Sequence, residues 1–232
     1  MEEILQSGLT ALGLSPDAAP ALLDFSRRLL EKNAVMNLTA ITDPDDVARL
    51  HLLDCAALLS HYDLTGKVGV DVGTGAGFPG MVLRMLTPDY RLTLLDSLGK
   101  RVDWLRDVCG EMGLGDVACV HARAEEFARE KREQFDVATS RAVAQLNVLS
   151  ELALPLVKVG GVFLAMKAVD SGEELDAARG AIGQLGGKVE DVWDYVIPTT
   201  DIRHRVIAIR KVRPTPAQFP RAFAKIKKQP LK

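Results

Sequence analysis

The chain has 232 residues, 47% of them hydrophobic but only 5% aromatic, enough for one α/β domain with a core of Leu, Val and Ala and some extension beside it. Its net charge of −2 gives no global field to gather a polyanion, so any nucleic-acid contact must come from local charge. Three cysteines, Cys55, Cys109 and Cys119, with no CxxC and only four histidines, argue against a disulfide framework or structural zinc, and no metal is expected.

The N-terminus, MEEILQSGL, is acidic and lacks the basic start and apolar run of a secretory signal. No run reaches membrane-spanning length, so the sequence predicts a cytoplasmic protein with no membrane partner and monomer as the default state. Residues 1–34 read as helices: Leu5, Leu9 and Leu12 recur at helical spacing, and Ser15-Pro16 is a cap followed by a first-turn proline. Asn37-Leu38-Thr39 reads as a loop, and Asp43-Pro44 opens one further helix that runs to about residue 63. Residues 1–66 therefore form a helical cap.

Strands and helices then alternate through residues 67–212. Strands are predicted at 68–72, 91–96, 117–121, 135–140 and 162–167. Helices are predicted at 79–86, 98–113, 125–132, 145–157 and 172–185, and two last strands at 189–198 and 204–212. This order implies a seven-stranded, mostly parallel sheet with right-handed crossovers. The short link between the last two strands suggests a hairpin, which makes one of them antiparallel. The tail, 213–232, is basic: from Lys211 to Lys232 the chain carries seven Lys or Arg and no acid.

The stretch VGVDVGTGAGFPG (68–80) carries the strongest chemical signal. A strand ends at Asp71 and runs into Gly73, Gly75 and Gly77, with Pro79 opening a helix. Glycines allow positive φ and bare backbone against a ligand. Asp96 ends the next strand at the spacing expected of a ribose partner. Gly75–Gly80 also fits G-x-G-x-x-G, the dinucleotide fingerprint. The earlier, alternating glycines and the acid at the strand end favour a cationic ligand without phosphate, S-adenosylmethionine, over a nicotinamide or flavin. In an open α/β sheet the ligand sits outside the carboxyl ends of the strands. Those ends bring Asp71–Gly77 with Thr74, Asp96-Ser97, the 122–125 turn, Ser140-Arg141 and Met166-Lys167 to one cleft.

The segments NLTAI (37–41), HLLD (51–54), DVGTGAGFPG (71–80), LLDSLGKRVDWL (94–105), AEEF (124–127), SRAVA (140–144), the glycine turn and strand at 160–167 and the basic ending resemble one family. It is that of the bacterial small-subunit ribosomal RNA guanine-N7 methyltransferases, also called glucose-inhibited division protein B. The resemblance covers nearly the whole chain. It implies a Rossmann-like class I S-adenosylmethionine-dependent methyltransferase, with a helical N-terminal extension, acting on one guanine of 16S ribosomal RNA near the decoding centre. It also implies cofactor contacts at Gly73, Phe78, Ala124, Glu125 and Arg141, with Asp96 on the ribose; Thr74, Gly75, Gly77 and Ser97 complete the expected cofactor set. The chain departs from the family at Cys55, where serine usually follows His-x-x-Asp.

Guanine N7 offers an in-plane lone pair and needs no deprotonation, so proximity and orientation are the expected contributions of the protein. No Asn/Asp-Pro-Pro-Tyr/Phe follows the fourth strand, and no cysteine follows residue 119. Both absences disfavour amino-group and pyrimidine-carbon methylation. Arg141 is the leading residue for positioning the target, since a guanidinium can clamp a guanine acceptor edge. RNA contacts are expected from Asn37, His51, Lys100, Arg101 and Lys167 around the cleft, and from Arg205, Arg221, Lys225, Lys227 and Lys228 as phosphate partners. A nicotinamide-dependent oxidoreductase and a non-catalytic RNA-binding module are the alternatives these residues leave open.

Overall fold

A computed structural model describes residues 1–141 and 144–232; Ala142 and Val143, the middle of the SRAVA segment, lie outside the described residues. The cap begins with α1 (Glu2–Ala11), a 3-10 turn (Pro16–Ala18) and α2 (Ala19–Met36). Ser15 caps as expected, its Oγ accepting from the Asp17 N–H at 3.2 Å, although it opens the 3-10 turn and not α2 itself. Asn37 closes α2 in the left-handed region, φ 51° and ψ 57°.

The single helix expected after Asp43 is a composite. Asp43 Oδ1 caps α3 (Pro44–Val47) by accepting from the N–H groups of Asp45 and Asp46. A π-helical stretch (Ala48–Leu53), α4 (Asp54–Ala56) and a 3-10 turn (Ala57–Ser60) follow. Such widened turns re-aim side chains and recur where helices carry function. Here the widened segment contains His51 and leads into Asp54, both of which border the cleft.

The sheet follows in the order β3-β2-β1-β4-β5-β7-β6. Its strands are β1 (Val68–Val72), β2 (Arg91–Asp96), β3 (Ala118–His121), β4 (Phe135–Arg141), β5 (Val157–Ala168), β6 (Gly187–Val196) and β7 (Arg203–Lys211). All pairings among β1 to β5 are parallel, and β7 is antiparallel to both β5 and β6. The hairpin reading of the last two strands therefore holds. Helices α5 (Gly80–Leu86), α6 (Gly99–Glu111), α7 (Ala124–Glu130), α8 (Leu146–Ala153) and α9 (Gly172–Gln184) complete the alternation. Strand order reverses between β1 and β4, which opens the crevice where a ligand binds in such sheets.

Alternate residues of each strand point to opposite faces. Val137, Leu164 and Met166 join one core with the cap, α5 and α6. Ala138, Phe163 and Ala165 join the other with α7, α8 and α9. The cap thus shares its hydrophobic interior with the sheet.

One boundary differs from expectation. The helix predicted through residue 157 is shorter: α8 ends at Ala153, a 3-10 turn covers Leu154–Leu156, and β5 begins at Val157. The pairing jumps from Phe135↔Val157 to Val137↔Val162, so residues 158–161 bulge out of the ladder. A Cβ on Gly161 would stand 2.6 Å from the Asp136 carbonyl, which is why the close approach needs glycine. The basic tail is docked: Arg132 donates to the carbonyls of Thr215, Pro216 and Phe219, and α10 (Phe223–Lys228) lays Ile226 into the second core.

Candidate active site

The glycine elbow is fixed from behind. Gly73 and Thr74 donate their N–H groups to the Leu95 carbonyl at 2.9 and 3.1 Å. Asp71, expected to face a cationic ligand, is completely buried instead. Its Oδ2 accepts from Thr74 Oγ1 at 2.6 Å and the Gly80 N–H at 3.0 Å, and Oδ1 accepts from Thr139 Oγ1 at 3.0 Å. Burial pushes its carboxyl up to about 6 while these donors pull the other way. Asp71 is a brace beneath the elbow, not a wall of the cleft.

The three glycines divide between two jobs. Gly75, at φ +59°, borders a cavity, and the nearest neighbour of an added Cβ there is Arg101 Nη1 at 3.9 Å. Gly77, at φ +93°, faces the core: a Cβ would meet Met81 Cγ at 2.8 Å and Leu105 Cδ2 at 3.0 Å. Its Cβ side is filled by the core, and it is not among the residues that border the cavity.

The cavity encloses about 860 Å3. Its inner half is the elbow from Gly73 to Ala76 with Asp96, Ser97, Leu98 and Arg101. Asp96 accepts from the Gly75 N–H on Oδ2 and from the Leu98 N–H on Oδ1, each at 2.9 Å. Each oxygen keeps a second acceptor site. The outer half is walled by Leu38, Ile41, Leu50, Met166 and Ile202, with polar groups from the cap and from β4, β5 and β7.

Those polar groups, Lys167 apart, form one network centred on Asp54, which is 1% exposed. Asp54 Oδ2 accepts from Arg141 Nη1 at 3.0 Å; Oδ1 accepts from Tyr195 Oη and His204 Nδ1, each at 2.7 Å. These bonds and the Arg141 charge hold its carboxyl below the usual range despite burial. Arg141 also donates to the Leu50 carbonyl at 3.0 Å and to His51 Nδ1 at 2.8 Å, and its guanidinium lies 5.0 Å from the centre of the Phe78 ring. Because His51 Nδ1 accepts, its Nε2 carries the proton and donates to Thr39 Oγ1 at 2.7 Å. Burial and the Arg141 charge push the His51 pKa down to about 4, so the ring is neutral at pH 7.

The structure places the expected site residues in several ways. Gly73, Thr74, Gly75, Phe78, Asp96 and Ser97 border the cavity, as do His51, Arg101, Arg141 and Lys167. A second group lies outside its lining: Ala124 and Glu125, with the Glu125 carboxylate held by Arg123 Nε at 2.8 Å, and the exposed residues Lys100 and Asn37. The third group is already paired within the fold. Lys167 Nζ donates to Glu174 and to the Ala144 carbonyl, each at 2.6 Å, so it closes the cleft wall and does not reach outward. Arg205 pairs with Asp194 across two strands at 2.6 Å, and Arg221 pairs with the buried Glu151 at 2.6 Å. Both guanidinium groups, expected as phosphate partners, are engaged by carboxylates of the fold. Lys225, Lys227 and Lys228 are exposed, as a nucleic-acid contact requires. Cys55 is fully buried in the cap core, and burial pushes its thiol well up, so the departure from serine is absorbed by packing.

His204 and Tyr195 were not picked out by sequence. The signal was topological: a strand that runs antiparallel beside β5 starts at the cleft, so its first residues face the site.

The description of one protein family, rRNA small subunit methyltransferase G, matches residues 18–202 of this chain. Among curated relatives, the ribosomal RNA small subunit methyltransferase G of Alkaliphilus metalliredigens is 45% identical, covering 99% of this chain and 98% of its own. That of Clostridium perfringens strain 13 is 44% identical over the same shares of the two chains. Among solved structures, an O-methyltransferase from Bacillus cereus in complex with SAH shares the fold at a TM-score of 0.57 and 20% identity, over 81% of this chain and 91% of that one. M. jannaschii TYW2 in complex with AdoMet does so at 0.53 and 14%, over 66% and 72%.

Proposed function

The chain belongs to the rRNA small subunit methyltransferase G family, and from that premise we propose that it methylates N7 of a guanine in 16S ribosomal RNA with S-adenosylmethionine as donor. The observation that carries this reading is the two-part cavity, with a bare glycine elbow and a strand-end carboxylate on one side and an apolar cleft on the other.

The residues present fit the donor. Gly75 offers backbone with no Cβ toward the cavity, and Asp96 turns two partly used oxygens to the same space, where the two hydroxyls of a ribose can donate. Cavities of several hundred Å3 suit ligands of this size. Gly73, Thr74, Gly75 and Asp96 would hold the nucleoside, with Ser97 and Leu98 beside it and Phe78 beneath. The donor supplies an activated methyl on a sulfonium. The chain's own residues orient the base, keep water out and fix the distance. No general base is required, and the neutral His51, locked between Arg141 and Thr39, is placed as part of the wall. Arg141 positions the target indirectly, since its guanidinium is committed to Asp54, Leu50 and His51.

RNA reaches the cleft over the exposed Lys100 and the half-buried Arg101 at the start of α6, and over the exposed Lys225, Lys227 and Lys228 on α10. The enzyme acts as a monomer in the cytoplasm, on a guanine near the decoding centre. Incubation with labelled S-adenosylmethionine and 16S RNA or small subunits lacking the mark should place label on guanine N7. No label in RNA, with S-adenosylhomocysteine still bound, defeats the reading.

A further inference from the structure

The outer half of the cavity holds six polar side chains, and five already bond within the wall. Thr39, His51, Asp54, Arg141 and Lys167 bond to one another or to neighbouring protein groups. His204 differs. Its Nδ1 is tied to Asp54 Oδ1 at 2.7 Å, and its Nε2 has no protein partner among the described residues. The side chain is 33% exposed at the cavity edge, beside the apolar Ile202.

The ring is also aimed. Asp54 accepts from Tyr195 Oη on the same oxygen that takes the His204 proton, and the Tyr195 ring stands edge-on to the imidazole at 87° with centroids 6.2 Å apart. Asp54 must be ionised to accept both, so Nδ1 carries a proton in either charge state of His204. The Asp54 carboxylate favours the doubly protonated ring, while Arg141 across the carboxylate opposes it. In that form His204, which borders a cleft with apolar walls, carries a charge-assisted Nε2–H donor.

A guanine that offers N7 to the inner half must present O6 on the same edge, because N7 and O6 are adjacent acceptors. Adenine presents an N6–H2 donor at that place. We propose that His204 reads the target base: its Nε2–H donates to guanine O6 and rejects adenine, with Asp54 and Tyr195 as the residues that orient the ring. This assignment rests on the function proposed above. It adds a specificity residue to the site, in a direct base contact that neither the glycine elbow nor Arg141 supplies.

The test is a cycle between one side chain and one base atom. Wild-type enzyme and His204→Ala are assayed on RNA carrying guanine or 2-aminopurine at the target; the analogue keeps N7 and lacks O6. In the wild type, removing O6 should lower kcat/KM about tenfold or more, the discrimination of one good base contact. In His204→Ala the two RNAs should differ less than about threefold, because the partner of O6 is gone. His204→Gln, which keeps an N–H donor, should regain part of the preference. Affinity for S-adenosylhomocysteine should stay within about twofold of wild type in both variants, since the bond His204 makes is to Asp54 and not to the elbow. An equal loss on the analogue in wild type and His204→Ala overturns the proposal. So does a parallel fall in S-adenosylhomocysteine affinity, which makes His204 a prop of the cleft. A wild-type chain inert on guanine RNA defeats instead the function on which the proposal stands.

Discussion

Asp54 gathers a guanidinium, a phenol and an imidazole on two oxygens in a fully enclosed place. Removing one partner of a buried pair leaves the other charge without compensation, at about 3–5 kcal/mol. Asp54→Ala should therefore lose stability on that scale in urea denaturation, because Arg141 stays buried without its carboxylate. His51 makes the pH counterpart. Its pKa is about 4 in the fold against 6.5 for an ordinary histidine. The unfolded chain takes up a proton that the folded one refuses, so this term is fully present above pH 6.5 and is lost as pH falls toward 4. Its size is roughly 3 kcal/mol at most. Urea midpoints measured across that window should slope downward toward acid, and His51→Gln should flatten the slope. The glycines separate in the same way. Gly77→Ala drives a methyl into Met81 and Leu105 and should unfold the elbow, lowering Tm. Gly75→Val should leave most of the fold while abolishing S-adenosylhomocysteine binding by calorimetry, because its side chain enters the cavity. Sequence spacing alone identified all three glycines as ligand contacts; only their φ angles and neighbours distinguish the one that faces the core.

At the level of elements, the last stretch of the chain holds two populations of cations. Arg221 is bonded by its backbone N–H and its guanidinium to Glu151, which has no exposed surface. Lys225, Lys227 and Lys228 lie on α10 with Ile226 as the buried anchor. Arg221→Ala should cost about 3–5 kcal/mol by leaving Glu151 enclosed and unpaired. The triple Lys→Ala variant should keep Tm and reduce the salt dependence of RNA binding by about one unit of slope for each phosphate it no longer neutralises. An unchanged slope removes α10 from the interface. Charge counting could not make this division, because a basic tail reads the same whether its arginines point inward or outward. The alternation of strands and helices was legible because glycine, proline and period-2 or period-3.6 patterns mark it locally. The early start of β5 and the π-helical stretch were not, since a bulge is set by the partner strand and a widened turn by what it packs against.

For the whole molecule, strand-end reasoning brought Asp96, Arg141 and Lys167 to one cleft from sequence alone, because a parallel sheet collects the ends of its strands on one side. It overlooked His204 for a reason of topology. The antiparallel β7 enters the sheet from the cleft, so its beginning, and not its end, meets the site. The order of the strands has a consequence for how the protein is made. Among the described residues β6 hydrogen-bonds only to β7 in the sheet, so it has no edge to join until the later strand has left the ribosome. A nascent chain carries the cap and the glycine elbow early, and it lacks Tyr195, Ile202 and His204 until the final segments emerge, so the cleft is closed last on the side of the terminal hairpin.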